Sequence, residues 1–358
     1  MKEKAPTGTA RFGSERGPRR SGLLSARTRD RKSHDVGAGL WDEAAERIFP
    51  FRLTSYLSRR LPLEDPAHPL CRQFLPDRAE LEGPGSPDPL DEERFRASPG
   101  LIRRYRDRLL ALTIADCPIH CRHCNRKRRW GAPAEVATPE GLAQAVRRLR
   151  EVREVILSGG EPLWLPEQRL EEFLRAARAR EGVEIVRVHT RMPLADPGRI
   201  TPALVRRLRR HRPLWLITHF NHASELFPEV RAALRRLLDG GIPLLNQAVL
   251  LRNINDTVEA QRALGEALLS CGVKPYYLFS LDRARGTLHF QVPLKRARRL
   301  MERLRAEASG PCLPRFVCDL PGTGGKVPVE PDALVRSTRQ GTLLRGRDGR
   351  RHLYPSPE

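Results

Sequence analysis

Leu109-Leu110-Ala111-Leu112-Thr113-Ile114-Ala115-Asp116-Cys117-Pro118-Ile119-His120-Cys121-Arg122-His123-Cys124 sets how the rest of the chain reads. Its first half is an apolar run of strand length. Its second half packs three cysteines into the spacing CxxxCxxC. Three thiolates on one loop can wrap a single small cluster or metal. Iron–sulfur clusters are ordinarily held by four cysteines, so three would leave one iron open to a small chelating molecule. Two other readings stay open at this point. One is zinc, with His120 or His123 as fourth ligand; the other is three unconnected thiols.

The rhythm that follows sets the fold class. Strand-like runs fall at residues 109–114, 155–158, 184–189, 214–218, 244–250 and 276–281. Amphipathic helix patterns follow them at 138–152, 167–180, 202–211, 223–238, 257–270 and 294–308. Thr138, Thr201 and Asp256 read as N-caps, and Gly240 and Gly272 as C-terminal stops. Strand-then-helix units imply parallel strands joined by helical crossovers. Six of them fall short of an eight-fold barrel. The expectation is an α/β chain built as a partial (β/α)6 TIM-like barrel, with function at the C-terminal ends of its strands. Residues 1–38 read as a disordered basic tail and 39–100 as an N-terminal helical extension. The barrel core would span 101–310, and a short C-terminal cofactor-binding segment and tail 311–358.

Composition narrows the function. No apolar run approaches the roughly 18 residues of a membrane span, and 39% hydrophobic residues suffice for a core. The formal charge of +22 invites a nucleic-acid reading. Yet the arginines are spread along the whole chain and aromatics are only 6%, so neither a basic patch nor a stacking platform stands out. Seven cysteines with no secretory leader pattern suit a reducing cytoplasm better than a disulfide framework.

The second run ends in Ser158-Gly159-Gly160-Glu161-Pro162. Together with CxxxCxxC after the first strand, this resembles the signature of the radical S-adenosylmethionine superfamily. Further stretches are similar, in the same order over roughly residues 45–330, to the lysine 2,3-aminomutases. They are Arg104-Tyr105-Arg106-Asp107-Arg108, His189-Thr190-Arg191-Met192-Pro193, Thr218-His219-Phe220-Asn221-His222, Asn246-Gln247-Ala248-Val249, Pro275-Tyr276-Tyr277 and Asp319-Leu320-Pro321-Gly322-Thr323-Gly324-Gly325-Lys326.

The resemblance implies an isomerase that moves the amino group of lysine from C2 to C3, started by a 5′-deoxyadenosyl radical. Cys117, Cys121 and Cys124 would hold a [4Fe–4S] cluster. Ser158, Gly159, Gly160, Glu161, His219 and Gln247 would hold S-adenosylmethionine, with the glycines letting backbone approach its ammonium. Lys326 would carry pyridoxal 5′-phosphate, with Arg104 and Arg108 on the phosphate. Arg126 would clamp the substrate carboxylate, and Asp282 and Asp319 would take the distal ammonium. An electron donor such as flavodoxin or ferredoxin is implied as partner, and a homo-oligomer stays open.

Two departures from the family pattern stand out. No cysteine follows Cys318, so a C-terminal zinc cluster is not expected, and Phe279 stands where the family often has tyrosine. Arginine, ornithine or glutamate as substrate, and supply of β-lysine for elongation factor P, remain alternatives. A reading of another class is an inactive homologue that binds RNA. Loss of a cluster cysteine, Glu161 or Lys326 would favour it, and all are present.

Overall fold

The computed structural model describes residues 23–25, 42–130, 135–329, 334–338, 341–346 and 350–355. Seven strands run parallel, in sequence order across one sheet. They are β1 (Arg108–Ile114), β2 (Glu154–Gly159), β3 (Ile185–Thr190), β4 (Leu214–Thr218), β5 (Leu244–Val249), β6 (Lys274–Phe279) and β7 (Arg315–Leu320). Helices cross over between the first six and after the sixth: α1 (Pro139–Arg148), α2 (Glu167–Ala177), α3 (Pro202–Arg209), α4 (Pro228–Asp239), α5 (Val258–Ser270) and α6 (Leu294–Glu307). This is the expected partial barrel of six strand–helix units, extended by a seventh parallel strand.

The local causes are ordinary. Central strands covered on both faces are continuously apolar, as Val155, Ile156 and Leu157 are in β2. Each helix buries one stripe, such as Leu142, Ala145 and Val146 of α1. Thr138 and Thr201 cap α1 and α3, accepting from Gly141 N–H and Leu204 N–H. Asp256 does not cap α5. Asn253, at φ 60°, turns the loop so that Asp256 accepts from the Asn253 N–H and faces Arg296 at 2.8 Å. Thr257 is left in the extended geometry of a cap and accepts from Ala260 N–H.

Antiparallel strands flank the parallel set. A hairpin of Arg96–Ser98 and Leu101–Tyr105 lies beside β1, and β8 (Gly325–Pro328) lies beside β7. Side chains join these two edges. Arg104 donates to Asp319 Oδ1 (2.7 Å), Gly322 O (3.1 Å) and Leu320 O, and Lys326 N–H donates to Tyr105 Oη (3.1 Å). The open barrel is thus latched at the point where Lys326 sits.

The N-terminal extension holds the short helices Glu43–Ile48, Ser55–Ser58 and Pro69–Phe74 against the cluster loop. A buried ion group anchors it: Glu80 accepts from Arg122 Nε (2.7 Å) and from Lys127 Nζ, and Arg122 also reaches Phe49 O. The expected disordered tail lies outside the described residues, apart from Leu23–Ser25, which pairs with Arg52–Thr54. Beyond β8, Leu334–Thr338, Gly341–Arg345 and Arg351–Pro355 form an antiparallel meander. Among the described residues no helix is long and apolar enough to cross a membrane.

Candidate active site

A cavity of about 360 Å³ opens at the C-terminal ends of the parallel strands. Every site residue implied by the family resemblance lines it: the three cysteines, residues 158–161, His219, Gln247, Arg104, Arg108, Arg126, Asp282, Asp319 and Lys326; of the two candidate zinc histidines, His123 does and His120 does not. These positions come from widely separated parts of the chain, and the barrel gathers them at one mouth.

Cys117, Cys121 and Cys124 line the wall beneath the β1 loop, and burial raises the pKa of all three thiols, that of Cys124 to about 11. Arg191 donates to Cys121 Sγ at 2.8 Å and is itself held by Glu225 and Gln73. Of the two histidines that could complete a zinc site, His120 is committed elsewhere, and His123 has one ring nitrogen engaged while its Nδ1 is buried without a partner among the described residues. His120 stacks on Trp130 at 4.3 Å and bonds Pro50 O, while His123 Nε2 meets Asn221 Nδ2 at 3.1 Å. Among the described residues no three His, Cys, Asp or Glu side chains converge as a single metal ion would require.

The end of β2 passes directly under the cysteine loop. Gly160 N–H donates to Ile114 O, and Glu161 N–H to Asp116 O. A Cβ on Gly160 would lie 2.0 Å from Asp116 O, and Gly159 sits at φ 118° with its Cβ direction 2.5 Å from Ile114 O. The structural need for these glycines is therefore the close approach of the two backbones. Glu161 accepts from Thr190 Oγ1, Arg191 N–H and Leu163 N–H. Burial pushes its acid up to about 7 against those donors. His219 and His189 face each other at 5.5 Å, and burial lowers both, so they are neutral. His189 Nε2 is buried and has no hydrogen-bond partner among the described residues.

Elsewhere in the cavity wall, Lys326 Nζ lies 2.9 Å from Asp319 Oδ2 and 5.7 Å from the ring centroids of Tyr105 and Phe279. Asp319 is thereby shared between Arg104 and Lys326 instead of facing the cavity alone. Arg104 spends its donors on Asp319 and two carbonyls, whereas Arg108 bonds Asp107 and lies over the Tyr105 ring. Asp282 is the less encumbered carboxylate. Burial pushes its acid up to about 6, with Asp319 adding to the rise and Asn125 opposing it.

Several residues escaped the sequence reading. Glu92 grips Arg126 side-on, at 2.6 Å to Nη2 and 3.1 Å to Nε. Burial works against the Glu92 charge, but Arg126, Arg128 and Arg129 prevail and hold its acid at about 2. Asn125 Nδ2 donates to Asp282 Oδ2 at 2.8 Å. Glu80 completes the set, and Arg191, though inside a family-similar stretch, had no role assigned from it. Nothing in the local sequence marks Glu80, Glu92 or Asn125, because each acts through a distant partner.

Residues 112–260 match the family model described as "Radical SAM superfamily", and residues 301–358 match that described as "Lysine-2,3-aminomutase". The L-lysine 2,3-aminomutase of Clostridium subterminale is 38% identical over 310 residues, covering 85% of this chain and 74% of that protein. The L-lysine 2,3-aminomutase of Fusobacterium nucleatum is 38% identical over 311 residues, covering 86% and 72%. The glutamate 2,3-aminomutase of Clostridioides difficile is 33% identical over 306 residues, covering 84% and 72%.

Proposed function

The chain belongs to the lysine 2,3-aminomutase family of the radical S-adenosylmethionine superfamily, and from that premise we propose that it converts free L-lysine to β-lysine. The observation that carries the choice of lysine is the charge layout of the cavity. The same wall carries Arg126, suited to an α-carboxylate, and the part-buried carboxylates Asp282 and Asp319, suited to a distal ammonium. A glutamate side chain would bring a third carboxylate against these two.

The family works with a [4Fe–4S] cluster, S-adenosylmethionine and pyridoxal 5′-phosphate, and the residues present fit these groups. Three thiols from one loop line the cavity. His189 leaves a buried ring nitrogen open to a polar ligand. A lysine amine, that of Lys326, lines the same cavity. When bound, these groups supply a 5′-deoxyadenosyl radical and an aldehyde that holds the migrating amino group.

The protein's part is placement. Cys117, Cys121 and Cys124 would ligate three irons, leaving the fourth for S-adenosylmethionine. Ser158, Gly159, Gly160, Glu161, His219 and Gln247 would line that molecule's site. Lys326 would carry the pyridoxal, with Arg108 the freer of the two arginines for its phosphate and Arg104 holding the hairpin in place. Arg126, fixed by Glu92, would orient the α-carboxylate, and Asp282 and Asp319 the ammonium. A cavity walled by side chains keeps water from reactive species. Unpaired cysteines throughout the described residues suit a reducing cytoplasm, where an acidic electron carrier such as flavodoxin or ferredoxin would supply the electron.

The test is anaerobic turnover of reconstituted protein with L-lysine and L-glutamate in competition, products being separated by mass-resolved chromatography. β-Lysine as the main product supports the reading. β-Glutamate as the main product overturns the substrate assignment.

A further inference from the structure

Adjacent residues at the end of the cluster loop engage two different charged partners in the cavity wall. Arg126 turns to Glu92, and Asn125 sends its carboxamide across to Asp282, 157 residues away in sequence. Asp282 and Asp319 are not equivalent there. Both oxygens of Asp319 are met by cations, Arg104 Nη1 at 2.7 Å and Lys326 Nζ at 2.9 Å. Asp282 meets no side-chain cation within salt-bridge distance among the described residues; its hydrogen-bond donor is the neutral amide of Asn125 at 2.8 Å. A neutral donor fixes a carboxylate's direction without cancelling its charge. A cation entering the cavity therefore finds its unspent anion at Asp282.

We propose that Asn125 is a specificity-determining positioning residue, whose carboxamide holds Asp282 aimed into the cavity as the principal reader of the substrate's distal ammonium. This rests on the proposed action on lysine. Burial alone would favour the neutral acid at Asp282, and the Asn125 hydrogen bond opposes that, which agrees with the geometry. The arrangement also couples substrate choice to the cluster loop, since Asn125 follows Cys124 directly.

The experiment compares equilibrium binding of L-lysine and of L-norleucine to the unreduced holoenzyme by anaerobic calorimetry. Norleucine keeps the carboxylate, the amino group and the carbon chain but lacks the distal ammonium. Wild type should prefer lysine. Asn125→Ala should lower lysine affinity by about tenfold, equivalent to about 1.4 kcal/mol, while norleucine affinity stays within about twofold. Asn125→Ser, which restores a short donor, should recover part of the lysine preference. Unchanged lysine preference in Asn125→Ala would overturn the role of Asn125 while leaving the lysine reading intact. Equal loss of both ligands without recovery in Asn125→Ser would show a purely structural residue and overturn it likewise. A wild type that does not distinguish lysine from norleucine would overturn the lysine reading itself, and the inference with it.

Discussion

Replacing Glu80 by glutamine tests how the N-terminal extension holds the cluster loop. Glu80 and Arg122 are fully buried, and Lys127 is 1% exposed. The carboxylate meets Arg122 at 2.5 and 2.7 Å and bonds Lys127 as well. Glutamine keeps the shape but removes the only anion of the group. Removing one partner from a buried ion pair costs about 3–5 kcal/mol, because the other charge is stranded. The cost falls chiefly on Arg122. Burial already lowers the Lys127 amine to about 8, so it can shed its proton cheaply, whereas a guanidinium has no such escape. With a urea slope of about 3 kcal/mol per M, the midpoint should fall by about 1 M or more. Urea unfolding of the apoprotein, followed by circular dichroism, measures this. Arg122 lies between Cys121 and Cys124, so iron retained after anaerobic reconstitution should fall in parallel. The double substitution Glu80→Leu with Arg122→Met should recover much of the loss, since charge and counter-charge leave together. A Glu80→Gln midpoint within about 0.2 M of wild type, with full iron content, would refute the reasoning.

Other expectations follow from the same geometry. Burial raises the Asp282 acid to about 6, and the proposed role in reading an ammonium requires its charged form. Preference for lysine over norleucine should therefore be complete well above pH 6 and fade as pH drops through it; a preference flat from pH 5 to 8 would contradict this. The same shift means that the folded apoprotein holds this proton more tightly than the unfolded chain does. Its contribution to stability accordingly weakens as pH rises from the ordinary carboxylate range to about 6, visible as a falling urea midpoint in wild type that is reduced in Asp282→Asn. Glu92→Gln loosens Arg126 and should raise KM for lysine about tenfold, a loss of roughly 1.4 kcal/mol in binding, with a smaller change in kcat; an unchanged KM would sink that role. Lys326→Ala should lose the bound pyridoxal absorbance while keeping its iron, and retention of both absorbance and activity would contradict the assignment.

The barrel was legible because its parallel strands are buried on both faces and its helices on one. Val155–Leu157 therefore reads as continuous apolar sequence, while the α1 pattern repeats every three to four residues. β7 was not, since its apolar run is broken by Asp319 and among the described residues no α-helix follows it. The cysteines stood out by local spacing, whereas the glycines under them and Lys326 were singled out through the family resemblance. Asn125 and Glu92 could be found by neither, because their meaning lies in partners 157 and 34 residues away. Arg104 and Asp319 were each expected at a ligand. Their contact, across 215 residues, gives them a second use in closing the sheet edges. Asp256 shows the limit of cap signals: two adjacent residues could cap α5, and the loop turn at Asn253 decided between them.

The central claim is intramolecular migration of an amino group within lysine. Anaerobic turnover of L-lysine labelled with ¹⁵N at C2, read by mass fragmentation of the product, tests it most directly. The account predicts β-lysine of unchanged mass carrying the label at C3. Label lost to solvent or retained wholly at C2, from protein with a verified cluster and bound pyridoxal, would contradict it.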